Sequence, residues 1–265
     1  MGRFARILNA AKALTAPLIP PSCAVCREPV TGQGVLCPGC WREIAFLNPG
    51  GCRQCGRPVL GAESDPLAQC DDCIVVPPVW SSGRAVFRYT DGGRRLVLAL
   101  KHGDRVETLP ILGQWLARAG QDLLAEADVV VPVPLHWQRR LKRRFNQAAG
   151  LALSACHAAG RKTSFAPRAL VRSRATASQG HHSRGDRSAN VAGAFRPAPQ
   201  AARLNGARVV LIDDVMTTGA TLHECARTCL DAGAARVDVL VLALVVPDNT
   251  SYIRHPIEDE DDETS

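Results

Sequence analysis

The sequence predicts an α/β protein built on a parallel sheet, preceded by a Cys-rich segment that holds metal. Three observations lead there. Uninterrupted apolar runs such as Val209 to Ile212 suit strands covered on both faces. Such runs alternate with helical periods, the order that joins parallel strands by crossover helices. Eight of the eleven cysteines fall before residue 74, and they come in close pairs.

The chain has 265 residues, 22% charged and 46% hydrophobic, a globular composition long enough for one large domain or two. The longest early apolar stretch, Ala13 to Cys26, is broken by Pro17, Pro20 and Pro21. Nothing approaches the ~20 apolar residues of a membrane span, so a soluble protein is expected. The first residues, MGRFARILNAAKALTAPLIPP, read as an amphipathic helix with Phe4, Ile7, Leu8, Ala11 and Leu14 on one face, which packing on the body explains more simply than a membrane or partner role. Arg3, Arg6, Asn9 and Lys12 interrupt any signal-peptide core. Boundaries are expected near residues 76 and 248, with an acidic, disordered tail over 249–265.

The cysteines form four C-x-x-C pairs: Cys23 and Cys26, Cys37 and Cys40, Cys52 and Cys55, Cys70 and Cys73. A two-residue gap turns both sulfurs toward one point, and two pairs make the tetrahedral thiolate cage that Zn²⁺ prefers. A disulfide scaffold belongs to an oxidising compartment, which the lack of an export signal disfavours. Spacing allows sequential pairing or a cross-braced one. Gly39 and Gly56 suit the knuckles, where positive φ is often needed. A closed four-thiolate site offers no open position, so these zincs are expected to be structural.

The remaining elements follow in order: a strand over Arg84–Tyr89, then helices over Arg94–Lys101 and Leu109–Glu126. The core continues with strand 128–133, helix 137–159, a strand near 167–172, an unpatterned polar stretch, strand 191–196, strand 207–213, helix 221–232 and strand 235–246. Lys101 reads as a favourable cation at a helix C-terminus. Cys156, Cys225 and Cys229 read as buried small hydrophobes. His181 and His182 read as solvent-facing loop residues.

Charge is uneven. Residues 128–208 carry 15 basic against 2 acidic side chains, a local +13 within an overall +7. Such a field attracts a phosphorylated metabolite or a nucleic acid.

The most informative run is VVLIDDVMTTGAT, Val209 to Thr221. Asp213 and Asp214 sit where a strand ends, the edge at which open α/β sheets bind ligands. Thr217, Thr218, Gly219, Ala220 and Thr221 then lead into a helix, whose free N–H groups suit a phosphomonoester. Two carboxylates beside a phosphate site would repel it unless they meet hydroxyls or a metal. A phosphorylated sugar satisfies both halves.

This run resembles the signature of type I phosphoribosyltransferases. With the Cys pairs, RYTDGGRRLVLALKHGD, VVVPVPLHWQRRLKRRFNQA and LVRSRATASQGHHSRGDRSANVAGAF, the chain from about residue 20 to 246 resembles the ComF family. The fold implied is a type I phosphoribosyltransferase-like parallel sheet with an N-terminal Cys-rich double zinc ribbon. The resemblance also implies binding of phosphoribosyl pyrophosphate with Mg²⁺, a cytoplasmic bacterial setting, and a role in DNA uptake and natural transformation.

By the same resemblance Asp213 and Asp214 meet the ribose hydroxyls, and Thr217 to Thr221 hold the 5-phosphate. Pro132 to His136 stand at the pyrophosphate loop, without the small, basic or Gly-containing pattern of many metabolic relatives. Arg143 to Gln147 open the next helix, where family members often have Gly at the position of Arg144. Arg172 to Asn190 resembles a hood loop, through Arg174, Thr176, Gln179, Arg187 and Asn190. Arg174 and Arg187 are the expected catalytic pair, since always-charged guanidinium suits departing pyrophosphate.

Two functions follow. One is phosphoribosyl transfer to an acceptor. The other is a non-catalytic module that senses a phosphosugar and binds single-stranded DNA, with DNA-uptake proteins as further partners. Aromatics are only 5% of the chain, so base stacking would fall to residues such as Trp80, Trp137 and Phe145.

Overall fold

A computed structural model describes residues 21–246 apart from 33, 48–49, 62–64, 66, 103–104, 136–145 and 175–190. The expected N-terminal helix, the acidic tail and most of the polar stretch lie outside the described residues.

Two short helices, α1 (Pro38–Arg42) and α2 (Asp71–Val75), each begin just after the first cysteine of a pair. Next come β1 (Gly83–Arg88), α3 (Asp91–His102), α4 (Leu109–Ala119), α5 (Gln121–Glu126) and β2 (Val129–Pro132). The chain continues through α6 (Gln147–Ala158), β3 (Leu170–Arg172), β4 (Phe195–Pro197), β5 (Arg208–Met216), α7 (Ala220–Asp231) and β6 (Arg236–Leu244).

β1, β6, β5 and β2 form a four-stranded parallel sheet in that order. Strand alternation sends successive side chains to opposite faces. Val209, Leu211, Val239 and Val241 therefore pack with Leu222 and Ala226 of α7, and with Trp80, Cys52 and Cys55. Val210, Ile212, Leu240 and Leu242 pack on the other side against Leu96 and Leu100 of α3, Leu116 of α4 and Leu151 of α6. Both faces are covered, which is why β5 and β6 read as continuous apolar runs.

Three expectations need correction. The strands near 167–172 and 191–196 do not join the parallel sheet; β3 and β4 pair antiparallel with each other, Val171 opposite Arg196. Each has three residues and exposes a side chain, too short and too wet for a doubly covered strand. The helix over 109–126 breaks at Gly120 into α4 and α5. A Cβ there would stand 2.7 Å from Leu240 Cδ2, so the missing side chain lets this corner meet β6. The helix expected over 137–159 is interrupted at Asn146, whose extended backbone and side chain, accepting the Ala148 N–H at 3.1 Å, start α6 at Gln147; residues 137–145 lie outside the described residues.

Candidate functional site

Cys23, Cys26, Cys37 and Cys40 bring four Sγ atoms within 4.8 Å of one another, and Cys52, Cys55, Cys70 and Cys73 do the same. Thiolates ~2.3 Å from a tetrahedral Zn²⁺ stand roughly 3.8 Å apart. Cys26 and Cys37 are separated by 3.5 Å, Cys55 and Cys70 by 3.6 Å. Both clusters fit structural zinc, and the pairing is sequential rather than cross-braced.

The two ribbons are built alike. The Cys23 N–H donates to Glu28 O and the Cys52 N–H to Arg57 O, both at 2.7 Å. The residue after the second cysteine is left-handed in each, Arg27 with φ 70 and Gly56 with φ 74. Gly39 lies inside α1 instead of at a left-handed knuckle, and in the first ribbon the left-handed position falls to Arg27 after Cys26. Burial pushes the Cys23 thiol up, but the N–H groups of Cys37, Cys26 and Val25 outweigh it and bring it down to about 6. That is the environment of a thiolate ligand.

β2 ends with Pro132 opposite Ile212, whereas β5 runs on beside β6 to Met216. β5 ends three residues beyond the expected 213, so Asp213 and Asp214 lie within the strand, on a stretch that β2 leaves uncovered. The Val133 N–H donates to Ile212 O at 2.9 Å, and Val133 O accepts from Asn146 Nδ2 at 3.1 Å. These bonds hold the segment after β2 beside the acids. His136 to Phe145, with the Arg and Lys cluster and Trp137, lie outside the described residues.

The Asp214 N–H donates to Asp213 Oδ1 at 2.8 Å. Alternation turns Asp214 toward α3, where Lys101 Nζ stands 3.1 Å from its Oδ2. Burial, followed by the charge of Asp214, pushes the Asp213 carboxyl up to about 8, against the pull of Lys101 and Arg172. Burial of Asp213 thus outweighs those cations, Asp214 is paired with Lys101, and the two adjacent carboxylates offer the oxygen donors that a divalent cation takes.

After Met216 the chain turns through Thr217 and Thr218 to Gly219, whose φ of 78 places it in the left-handed region at the start of α7. Thr218 Oγ1 accepts from the Ala220 N–H at 3.4 Å. The first N–H groups of a helix have no partner within it, and those of α7 open on this loop. Trp80 backs the loop. It is 5% exposed, and its Nε1–H donates to Gln54 O at 2.5 Å. Trp80 is thus a buried support, not the stacking surface expected of it.

Arg174 stands at one root of the stretch expected to form a hood, with Nη2 donating to Ala192 O at 2.9 Å. Ser173 N–H donates to Ala194 O at 2.9 Å, so the two roots are tied together. Glu224 of α7, 6% exposed, accepts from the Gly193 N–H at 2.6 Å and pairs with Arg227. Burial pushes Glu224 up, but the bonds from Arg227 and Gly193 hold it below the usual range. Arg187, Thr176, Gln179, Asn190, His181 and His182 lie outside the described residues.

Lys101, Trp80, Asn146 and Glu224 are the site residues that sequence reasoning missed. Lys101 left a trace as a cation closing the apolar run LVLAL, Trp80 reads in sequence as a stacking residue instead, Asn146 is only part of the stretch Arg143 to Gln147, and Glu224 left no trace. Cys156, Cys225 and Cys229 are fully buried, as expected.

Residues 14–74 match the double zinc ribbon domain and residues 167–262 the phosphoribosyl transferase domain. The chain is 33% identical over 231 residues to DNA utilization protein YhgH of Salmonella typhimurium, covering 84% of this chain and 97% of that protein. The protein of the same name from Escherichia coli K12 is 34% identical over 234 residues, with the same coverage. Competence protein F of Haemophilus influenzae is 28% identical over 228 residues, covering 83% of this chain and 96% of that one. Among solved structures, the allosteric regulatory enzyme of purine biosynthesis aligns with a TM-score of 0.35 at 25% identity, over 52% of this chain and 26% of that one. Glutamine phosphoribosylpyrophosphate amidotransferase from B. subtilis gives 0.35 at 24%, over 51% and 26%. The chain spans about a quarter of each of these two enzymes. Two thiolate cages ahead of an α/β sheet, and relatives matched over nearly their whole length, lead to one assignment: the chain belongs to the ComF family, in which a double zinc ribbon precedes a phosphoribosyltransferase domain.

Proposed function

We propose that this protein binds phosphoribosyl pyrophosphate with Mg²⁺ at the junction of β5 and α7, and acts in DNA uptake or utilisation. One observation carries the reading: Asp213 and Asp214 lie in the last stretch of β5, and the turn after Met216 leads through left-handed Gly219 into the N-terminus of α7. Hydroxyl acceptors and a phosphate cradle thus lie within a few residues of each other. In this reading Thr217, Thr218, Thr221 and the α7 N–H groups hold the 5-phosphate, and the carboxylates orient the ribose hydroxyls. The segment after Pro132 faces the pyrophosphate, and Arg174 and Arg187 supply positive charge as it departs. Asp213 and Asp214 are the residues that would hold Mg²⁺ with the ligand, and the ion would supply neutralisation of the developing phosphate charge.

The names of the relatives and the +13 of residues 128–208 support a nucleic-acid connection. Single-stranded DNA is then the acceptor, or a separate ligand of that surface. The test is release of labelled pyrophosphate from phosphoribosyl pyrophosphate across candidate acceptors including DNA, together with strand affinity against salt. Release with an acceptor supports transfer. Strand binding with a log–log salt slope near −0.7 per phosphate neutralised, without release, supports the sensing module. Absence of both pyrophosphate release and phosphosugar binding would reject the proposal.

A further inference from the structure

Lys101 lies outside both stretches matched by the two domain descriptions, residues 14–74 and 167–262. It nevertheless reaches the candidate site. Its Nζ stands 3.1 Å from Asp214 Oδ2, and the two side chains are 20% and 15% exposed. An exposed ion pair would mean little, since water screens it and two long side chains must be ordered. This pair is mostly enclosed and joins two distant parts of the chain. Leu96, Val97 and Leu100 are buried in the cluster that covers one face of the sheet. They seat α3 firmly, so Lys101 is carried to the acid by packing and not by a free search.

The ammonium therefore stands against the carboxylate that the phosphosugar reading assigns to a cation and to ribose hydroxyls. Resting on that reading, we propose that Lys101 is a placeholder cation and ligand-binding residue: it holds the place of the divalent cation in the ligand-free protein and yields it when Mg²⁺ arrives with phosphoribosyl pyrophosphate. The displaced ammonium then pairs with phosphate oxygens of the ligand, so the same charge serves both states. A bare divalent ion meets an already neutralised Asp214 and binds poorly. The ion that comes with the phosphosugar brings extra oxygen ligands and displaces the lysine.

The test uses the full zinc-loaded chain, with Mn²⁺ alone as probe, read by the electron paramagnetic resonance of free Mn²⁺. Removing a partner leaves charge uncompensated, so Lys101→Met should bind Mn²⁺ about tenfold more tightly than wild type, while Lys101→Arg stays close to wild type. Calorimetry with phosphoribosyl pyrophosphate and Mg²⁺ should show about tenfold weaker binding to Lys101→Met, largely recovered in Lys101→Arg. Melting curves and zinc content show that both variants fold. Equal Mn²⁺ affinity in wild type and Lys101→Met would overturn the proposal, leaving the phosphosugar reading intact if wild type still binds that ligand. If wild type binds Mn²⁺ poorly, Lys101→Met binds it well and neither binds phosphoribosyl pyrophosphate, the placeholder role stands and the phosphosugar reading fails.

Discussion

Trp80 packs edge-on against Gly219: its Cη2 stands 3.0 Å from where a Gly219 Cβ would lie. The other end of the indole is bonded to Gln54 O, between the two cysteines of the third pair. One side chain thus connects the second zinc ribbon to the phosphate loop.

Gly219→Ala should damage that loop twice. The left-handed φ of 78 costs a β-carbon about 1 to 2 kcal/mol, and the new methyl pushes on Trp80. We expect a lower melting temperature and at least about tenfold weaker binding of ribose 5-phosphate, with zinc content unchanged at about two per chain. Calorimetry and metal analysis on the same preparation check it.

The two zinc clusters should be unequal in their effect on the sugar site. Cys52, Cys55 and Cys73 share a buried cluster with Trp80, Leu222 and Cys225, whereas Cys23, Cys37 and Cys40 form a small cluster of their own. Cys52→Ser should therefore release one metal and weaken phosphosugar binding. Cys23→Ser should release one metal and spare it. Equal losses of binding in the two variants would show that the ribbons do not act separately on the loop.

Much of this was legible in the chain itself, because the signals are local. The spacing of the C-x-x-C pairs, the apolar run before Asp213 and the glycine opening α7 are each contained in a few residues. What stayed hidden depends on partners far apart in sequence. Lys101 meets Asp214 across more than a hundred residues, and nothing near Lys101 betrays that acid. Trp80 has the composition of a stacking surface until Gln54 and Gly219 close over it. Val171 and Phe195 suit strands, but periodicity cannot say that β3 and β4 pair with each other and leave the main sheet.

Asp213 makes stability depend on pH. Its folded-state value, about 8, lies above the 3.8 of an ordinary carboxyl. The folded state therefore favours the protonated acid: the contribution is full below about 4 and is lost as pH rises toward 8. Without Mg²⁺ or phosphosugar, Asp213→Asn should melt at the same temperature as wild type at low pH and higher than wild type at pH 8. Melting curves across that window check it, and a gap that shrinks with rising pH would contradict it.

The central claim is that Asp213 and Asp214 hold the sugar of phosphoribosyl pyrophosphate. Charge-assisted hydrogen bonds contribute roughly 1.5 to 3 kcal/mol each, so replacing both acids by Asn should weaken binding by about two orders of magnitude or more. The direct measurement is calorimetric titration of wild type and Asp213→Asn/Asp214→Asn with phosphoribosyl pyrophosphate and Mg²⁺, at matched zinc content. The account predicts clear binding to wild type and none detectable to the double variant. Wild-type affinity in the double variant would place the sugar elsewhere and contradict it.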